Sequence, residues 1–275
     1  MLFLIPRILL APLAVVAGTL AQRRFGHGIG GLIVGLPLAS LPLLWLVALQ
    51  HGTAFTSSMT GALLVGSIAE AVILWLYARL TIQVSPSLAL LGALSAFALV
   101  AEAANLLKLS ALLAGLITAL GFVVALRWWP VTPSDPAAPQ GHSRLGLRVA
   151  FSAVFTVAIV SLAGRLGPVL TGLLDALPAM SLMMAFMTHQ DHGADASSRF
   201  LQGVTRGSFS YLAAMIVLAQ LLRTGNLLLA FSAALAAALL VQGSIQAHDT
   251  FAGRTRTFVP SDEVCSQDSS EVLCA

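Results

Sequence analysis

The chain has 275 residues, 58% of them hydrophobic and only 9% charged, with a mean hydropathy of +0.92. A soluble domain carries roughly 25% charged residues, so this composition excludes a water-soluble globular protein and places the chain in the lipid bilayer. The net charge of +3 and pI of about 9.4 come from 13 Arg and one Lys scattered singly along the chain, a topological signal that gives no surface for nucleic acid.

A bilayer crossing needs about 20 mostly apolar residues. On that rule the sequence predicts an all-α integral membrane protein of nine spans, at 3–21, 29–49, 59–80, 86–106, 109–128, 147–163, 168–188, 199–222 and 225–246. The first lacks a basic leader segment, and Arg23 and Arg24 follow it, so it reads as a retained helix. Between spans four and five, Glu102, Asn105 and Lys108 mark a tight hairpin; one span plus a re-entrant stretch is the alternative there.

The spans divide into 1–128 as a first membrane unit and 147–248 as a second. Between them lies a linker, 129–146, in which Pro130, Pro133, Pro136 and Pro139 forbid helix. Trp128 and Trp129 before it suit a membrane–water interface. The polar tail, 249–275, reads as disordered and carries Cys265 and Cys274, taken as free thiols.

With nine spans, Arg23, Arg24, Arg79, Arg127, Arg144, Arg148, Arg199, Arg254 and Arg256 fall on one side, and Arg7, Lys108, Arg165 and Arg223 on the other. The richer side is cytoplasmic. That puts the N-terminus outside and the C-terminus inside, in a bacterial inner membrane.

The strongest signal is internal. Residues 24–67, moved forward by 141 positions, align without a gap on 165–208. Thirteen positions are identical, among them Arg24/Arg165, Gly31/Gly172, Pro37/Pro178, Ser40/Ser181, His51/His192, Gly52/Gly193, Gly66/Gly207 and Ser67/Ser208. Five spans separate matching points of the two copies, so the two copies face opposite ways, as an inverted repeat.

Pro37 and Pro178 fall mid-span in the two copies. Each removes a backbone donor and leaves the carbonyl of Ile33 or Leu174 without its helical partner. Ser40 and Ser181, three residues on, bring hydroxyls to the same place. Breaks at matching points of two halves point to a central binding site.

Three charges fall inside spans: Glu70, Asp175 and Arg206. Each costs at least ~2.5–3.5 kcal/mol at mid-bilayer and needs a partner or a cavity. Their counterparts are Tyr211, Val34 and Val65, so the duplication does not account for them. The carboxylates suit proton coupling. Arg206 suits pairing with one of them or with an anionic substrate. A structural ion pair is the competing explanation.

Other motifs carry less. Gly31-x3-Gly35 and Gly203-x3-Gly207 are small-residue packing faces. Residues 26–31 match G-x-G-x-x-G by letters, but no strand precedes them. The run 189–195, HQDHGAD, reads as a solvated loop, and no metal site or cofactor is expected. No catalytic motif is present, so no enzyme and no catalytic residue are expected.

The pattern of Gly31, Leu32, Pro37, Gly52 and Gly66, with Gly172, Leu173, Pro178, Gly193 and Gly207 in the second copy, resembles the GlpM type of small bacterial inner-membrane protein. It also resembles longer bacterial membrane proteins built from two such units. The resemblance covers about 45 residues per half and implies no substrate or catalytic residue. The inverted plan is similar in architecture to drug/metabolite transporters.

The expected function is secondary transport of a small molecule through a cavity between the halves. Pro37, Ser40, Pro178 and Ser181 would shape it, and Glu70, Asp175, Arg206 and Tyr211 would line the pathway. The partners are then the bilayer and a small-molecule substrate, with a homo-oligomer left open. The alternative is a non-transporting accessory protein that scaffolds an envelope-assembly complex.

Overall fold

The computed structural model describes residues 16, 19–20, 24–38, 40–130 and 145–256, without the side chains of parts of 145–164 and 248–256. The span expected at 3–21, the proline linker over 131–144 and the tail beyond 256 lie outside those residues, or almost wholly so. Every regular element among the described residues is helical. These are α1 (His27–Val34), α2 (Ser40–Leu80), α3 (Pro86–Leu106), α4 (Ala111–Arg127), α5 (Leu145–Asp175), α6 (Ala179–Leu221) and α7 (Leu227–Arg256). A 3-10 turn, Leu222–Thr224, joins the last two.

Four helices are long and apolar enough to cross a bilayer: Ser40–Leu80, Pro86–Leu106, Ala179–Thr224 and Leu227–Ala247. The side-chain distribution agrees with a lipid surround. On α3, Ala89, Ala93, Ala101 and Ala104 face inward, while Leu88, Leu91, Leu99 and Leu106 are exposed. On α7, Ala230, Ala234 and Ala238 are buried and Leu228, Leu235, Leu239 and Leu240 are exposed. In water the large apolar residues would go inside. In lipid the small ones do, because they let helices approach.

Two helices exceed the length of one crossing. At 41 and 43 residues, α2 and α6 would each be about twice as long as the ~30 Å hydrocarbon core if straight. Each is divided by a glycine. Gly52 sits at φ 84, ψ 169 and Gly193 at φ 86, ψ 175, a region only glycine enters readily. The chain therefore runs as 40–51 and 53–80 in α2, and as 179–192 and 194–221 in α6. These corners replace the loops expected near 50–58 and 189–198. Glycine turns the chain in a single residue, and helical hydrogen bonding resumes at once.

The expected breaks at Pro37 and Pro178 are present. Helix α1 ends at Val34 and α2 begins at Ser40; α5 ends at Asp175 and α6 begins at Ala179. The two breaks share four hydrogen bonds, donor for donor and 141 residues apart. Gly35 and Ala176 N–H donate to the Gly31 and Gly172 carbonyls, at 2.9 and 3.0 Å. Leu36 and Leu177 donate to Ile33 and Leu174, both at 3.2 Å. Leu38 and Ala179 donate to Leu36 and Leu177, at 2.8 and 2.7 Å. Leu41 and Leu182 donate to Pro37 and Pro178, at 3.2 and 2.9 Å. The Ile33 and Leu174 carbonyls are thus not left for a ligand, contrary to the sequence expectation. A tighter final turn gives each a donor one residue earlier than the proline.

Packing between the two segments is reciprocal. Helix α1 lies on the second arm of α6, so close at Gly31 that a Cβ there would strike the Phe200 carbonyl. Residues 168–175 of α5 lie on the second arm of α2, and a Cβ on Gly172 would strike the Met59 carbonyl. Met59 and Phe200 are themselves 141 apart. The next turn repeats the relation: Gly35 abuts Gly207, and Ala176 abuts Gly66.

Trp129 is buried, and its Nε1 donates to Ser198 Oγ at 3.1 Å. The helix of α7 continues to Arg256, so the expected tail starts later than 249.

Candidate functional site

The two breaks and the reciprocal packing bring five polar residues together. Glu70 lies on the long arm of α2, only 7% exposed. Ser208, on the second arm of α6, donates from Oγ to Glu70 Oε1 at 3.1 Å. Tyr211, one turn further along α6, is buried at 9% exposure. Its side chain lies beside that of Ser40, the first residue of α2. It also lies within electrostatic reach of both carboxylates, Asp175 more strongly than Glu70. Tyr211 therefore neighbours Ser40 of the first break and lies within electrostatic range of Asp175 at the second.

Asp175 closes the cluster. It is the last residue of α5, where the helix ends at the second break. Its Oδ2 is buried and has no hydrogen-bond partner. Helix C-termini already carry partial negative charge, so a carboxylate there is opposed by its own helix. Burial adds to that cost.

The sequence placed Glu70, Asp175, Ser40 and Tyr211 on one pathway, and the fold gathers these four. Ser181 is buried in the first turn of α6, beside the second break. Pro37 is buried and Pro178 half-buried, each preceding the helix that restarts after its break. Arg206 does not join them. It is exposed, on a face of α6 different from the buried one that carries Ser208 and Tyr211.

Ser208 was missed as a member of the site. The signal was available, because Ser208 repeats Ser67 and sits one turn before Tyr211, the counterpart of Glu70. The copies use these serines differently: Ser67 Oγ donates to its own helix at Leu63 O, 3.0 Å.

The HQDHGAD run is helical, not a loop, and turns only at Gly193. His192 approaches His27 of α1, with ring centroids 5.3 Å apart. Among the described residues no group of three or more His, Cys, Asp or Glu is placed to hold a metal ion.

No family model, no curated protein and no solved structure matches this chain.

Proposed function

We propose that the chain is a multi-pass secondary transporter of a small molecule, with its binding site at the two helix breaks. One observation carries this reading: the buried Glu70–Ser208 hydrogen bond, with Tyr211 one turn on, lies where the two matched helix breaks pack against the opposite long arms. Discontinuous helices that meet around ionisable groups at membrane depth are where carriers hold substrate and coupling ions. Glu70 and Asp175 would bind the coupling ion or proton, Tyr211 and Ser208 would position them, and Ser40 and Ser181 would line the site.

The finer architecture follows from the same reading. The matched breaks, matched glycine corners and reciprocal packing support two duplicated halves related by a pseudo-two-fold axis. The nine-to-four Arg/Lys distribution supports an inverted relation of nine spans in the inner membrane, with the N-terminus outside. Likeness to GlpM-type proteins fits this plan and adds no substrate.

A scaffold role in an envelope-assembly complex has one point in its favour. The Glu70–Ser208 bond ties α2 to α6 as a purely structural pair would. A thermal-shift screen of purified protein, followed by uptake into proteoliposomes, separates the two. For a carrier, a small molecule raises the melting temperature, and Glu70→Gln and Asp175→Asn abolish uptake without loss of folded protein. A scaffold binds no small molecule, and the same variants only lower stability.

A further inference from the structure

We infer a second binding site, in the seam between α6 and α7, for a phosphate or carboxylate group held by the Arg206 guanidinium and the Gln242 amide. It lies away from Glu70 and goes beyond the carrier reading, on which it does not depend.

The first copy shows what such a seam needs for packing alone. Helices α3 and α7 begin 141 residues apart, at Pro86 and Leu227, and each packs on the long arm that precedes it. Their inward residues keep the same offset, with Ala89 and Ala93 on α3 and Ala230 and Ala234 on α7. Where the first seam has Val65, Ala69 and Ala101, all buried, the second has Arg206, Ser210 and Gln242. The first seam closes on these positions without a polar side chain. Packing therefore does not call for the polar set in the second.

The geometry of that set is definite. Ser210 Oγ donates to Gln242 Oε1 at 2.8 Å and fixes the register of the two helices. Gln242 is only 7% exposed, and its Nε2 is buried with no hydrogen-bond partner among the described residues. Ser210 answers one end of the amide and leaves the other, which native interiors rarely do. Arg206 stands one turn from Ser210 on the same side of α6, a spacing that puts the Cβ atoms roughly 6 Å apart. A guanidinium spans that distance. Because α7 runs back along α6, Gln246 lies level with Arg206, and both are exposed. The seam thus has a buried amide at its inner end and an exposed guanidinium at its mouth. Ser208, which bonds Glu70, is two residues from both Arg206 and Ser210, about half a turn around the helix.

The donors select the ligand. Arg206 brings a full positive charge to the middle of the apolar arm 194–221, where charge is retained for a task. Its planar fork matches the oxygens of phosphate and carboxylate, and the Gln242 amide adds an N–H from the facing helix. A cation would meet repulsion, and an apolar ligand would leave the buried amide donor unanswered. A soluble anion and the headgroup of an anionic lipid entering from the bilayer present the same oxygens.

The test uses purified full-length protein in a non-ionic detergent at constant pH and ionic strength, balanced with chloride. Inorganic phosphate, acetate and phosphatidylglycerol are titrated separately, with phosphatidylcholine as the lipid control, and melting temperature is followed. At least one of the three should give a saturable rise that chloride and phosphatidylcholine do not. Gln242→Ala and Arg206→Val copy the residues of the first seam, so the fold should tolerate them. Each should weaken the apparent affinity at least about tenfold, by removing a donor to a charged ligand. Arg79→Gln removes an exposed arginine elsewhere and should leave the affinity unchanged. In the wild type, the same ligand should protect Arg206 from phenylglyoxal, read by peptide mass spectrometry, which does not depend on variants that fold.

A response to phosphate or acetate assigns a soluble anion, and a response to phosphatidylglycerol alone assigns a lipid headgroup. No response to any of the three together with no protection overturns the site. So does a response that survives the double variant, or one that Arg79→Gln weakens equally. Uptake plays no part in this test, so its outcome leaves the carrier reading where it stands.

Discussion

From Gly26 to Gly52 and from Gly167 to Gly193 the backbone makes the same moves in the same order. A glycine at positive φ opens each stretch, a half-helix follows, a proline break interrupts it, and a second glycine at positive φ turns the next helix. The side chains do not follow suit. Where one stretch has Val34 the other has Asp175, and beyond them Glu70 is matched by Tyr211. Shared glycines and prolines therefore set the path of the chain, while unshared residues set its chemistry. A strictly symmetric site would hold each of these residues twice. This one holds Glu70 and Asp175 around a single tyrosine, so its two sides are not equivalent.

The largest test of the shared scaffold is at the close contacts. Gly31→Leu and Gly172→Leu each drive a side chain into a backbone carbonyl that cannot move aside. Each should cost about 3 kcal/mol or more, and detergent melting curves should show similar losses for both. Gly28→Leu, where nothing lies within 4 Å, should cost far less. A large effect at Gly31 with none at Gly172 would break the equivalence of the two segments.

Next come the corners. Gly52→Ala and Gly193→Ala force an L-residue into a glycine-only conformation, at about 1–3 kcal/mol each. Gly61→Ala, in open helical surroundings, should be neutral or stabilising. Equal melting losses at 52 and 193 sharpen the comparison; unequal ones weaken it.

The serines should then show the divergence. Ser208→Ala removes the donor to a buried carboxylate and should cost about 1–3 kcal/mol. Ser67→Ala removes a bond to its own helix backbone and should change stability by no more than about 0.5 kcal/mol. Smallest of all is the coupling of Arg206 to the carboxylates. Arg206→Leu combined with Asp175→Asn should be additive within about 0.5 kcal/mol, because Arg206 is exposed while Asp175 Oδ2 is buried.

Much of this was legible in the chain itself. Proline and glycine act through local backbone geometry, so Pro37 and Pro178 announce their breaks before any tertiary contact is known. Glu70, Asp175 and Tyr211 were legible because an ionisable group in an apolar span needs a reason. The exposure of Arg206 was not legible, because hydropathy gives depth along a helix and not the face it presents. The corners at Gly52 and Gly193 were read as loops because polar neighbours such as His189, Gln190 and Asp191 look like loop residues. A glycine can turn a helix among them without ending it. Ser208 went unnoticed because its role depends on α2 and α6 crossing at that level, which no local pattern encodes.

The central claim is that the two breaks border one polar site, and thiol accessibility tests it most directly. Cysteine is introduced at Ser40 and at Ser181 in the full-length protein, and each variant is exposed to a small water-soluble methanethiosulfonate in intact membranes. We predict that both cysteines react and that one and the same bound species protects both. If neither reacts while the protein remains folded, no aqueous site joins the breaks, and the cluster around Tyr211 is a structural knot in a scaffold.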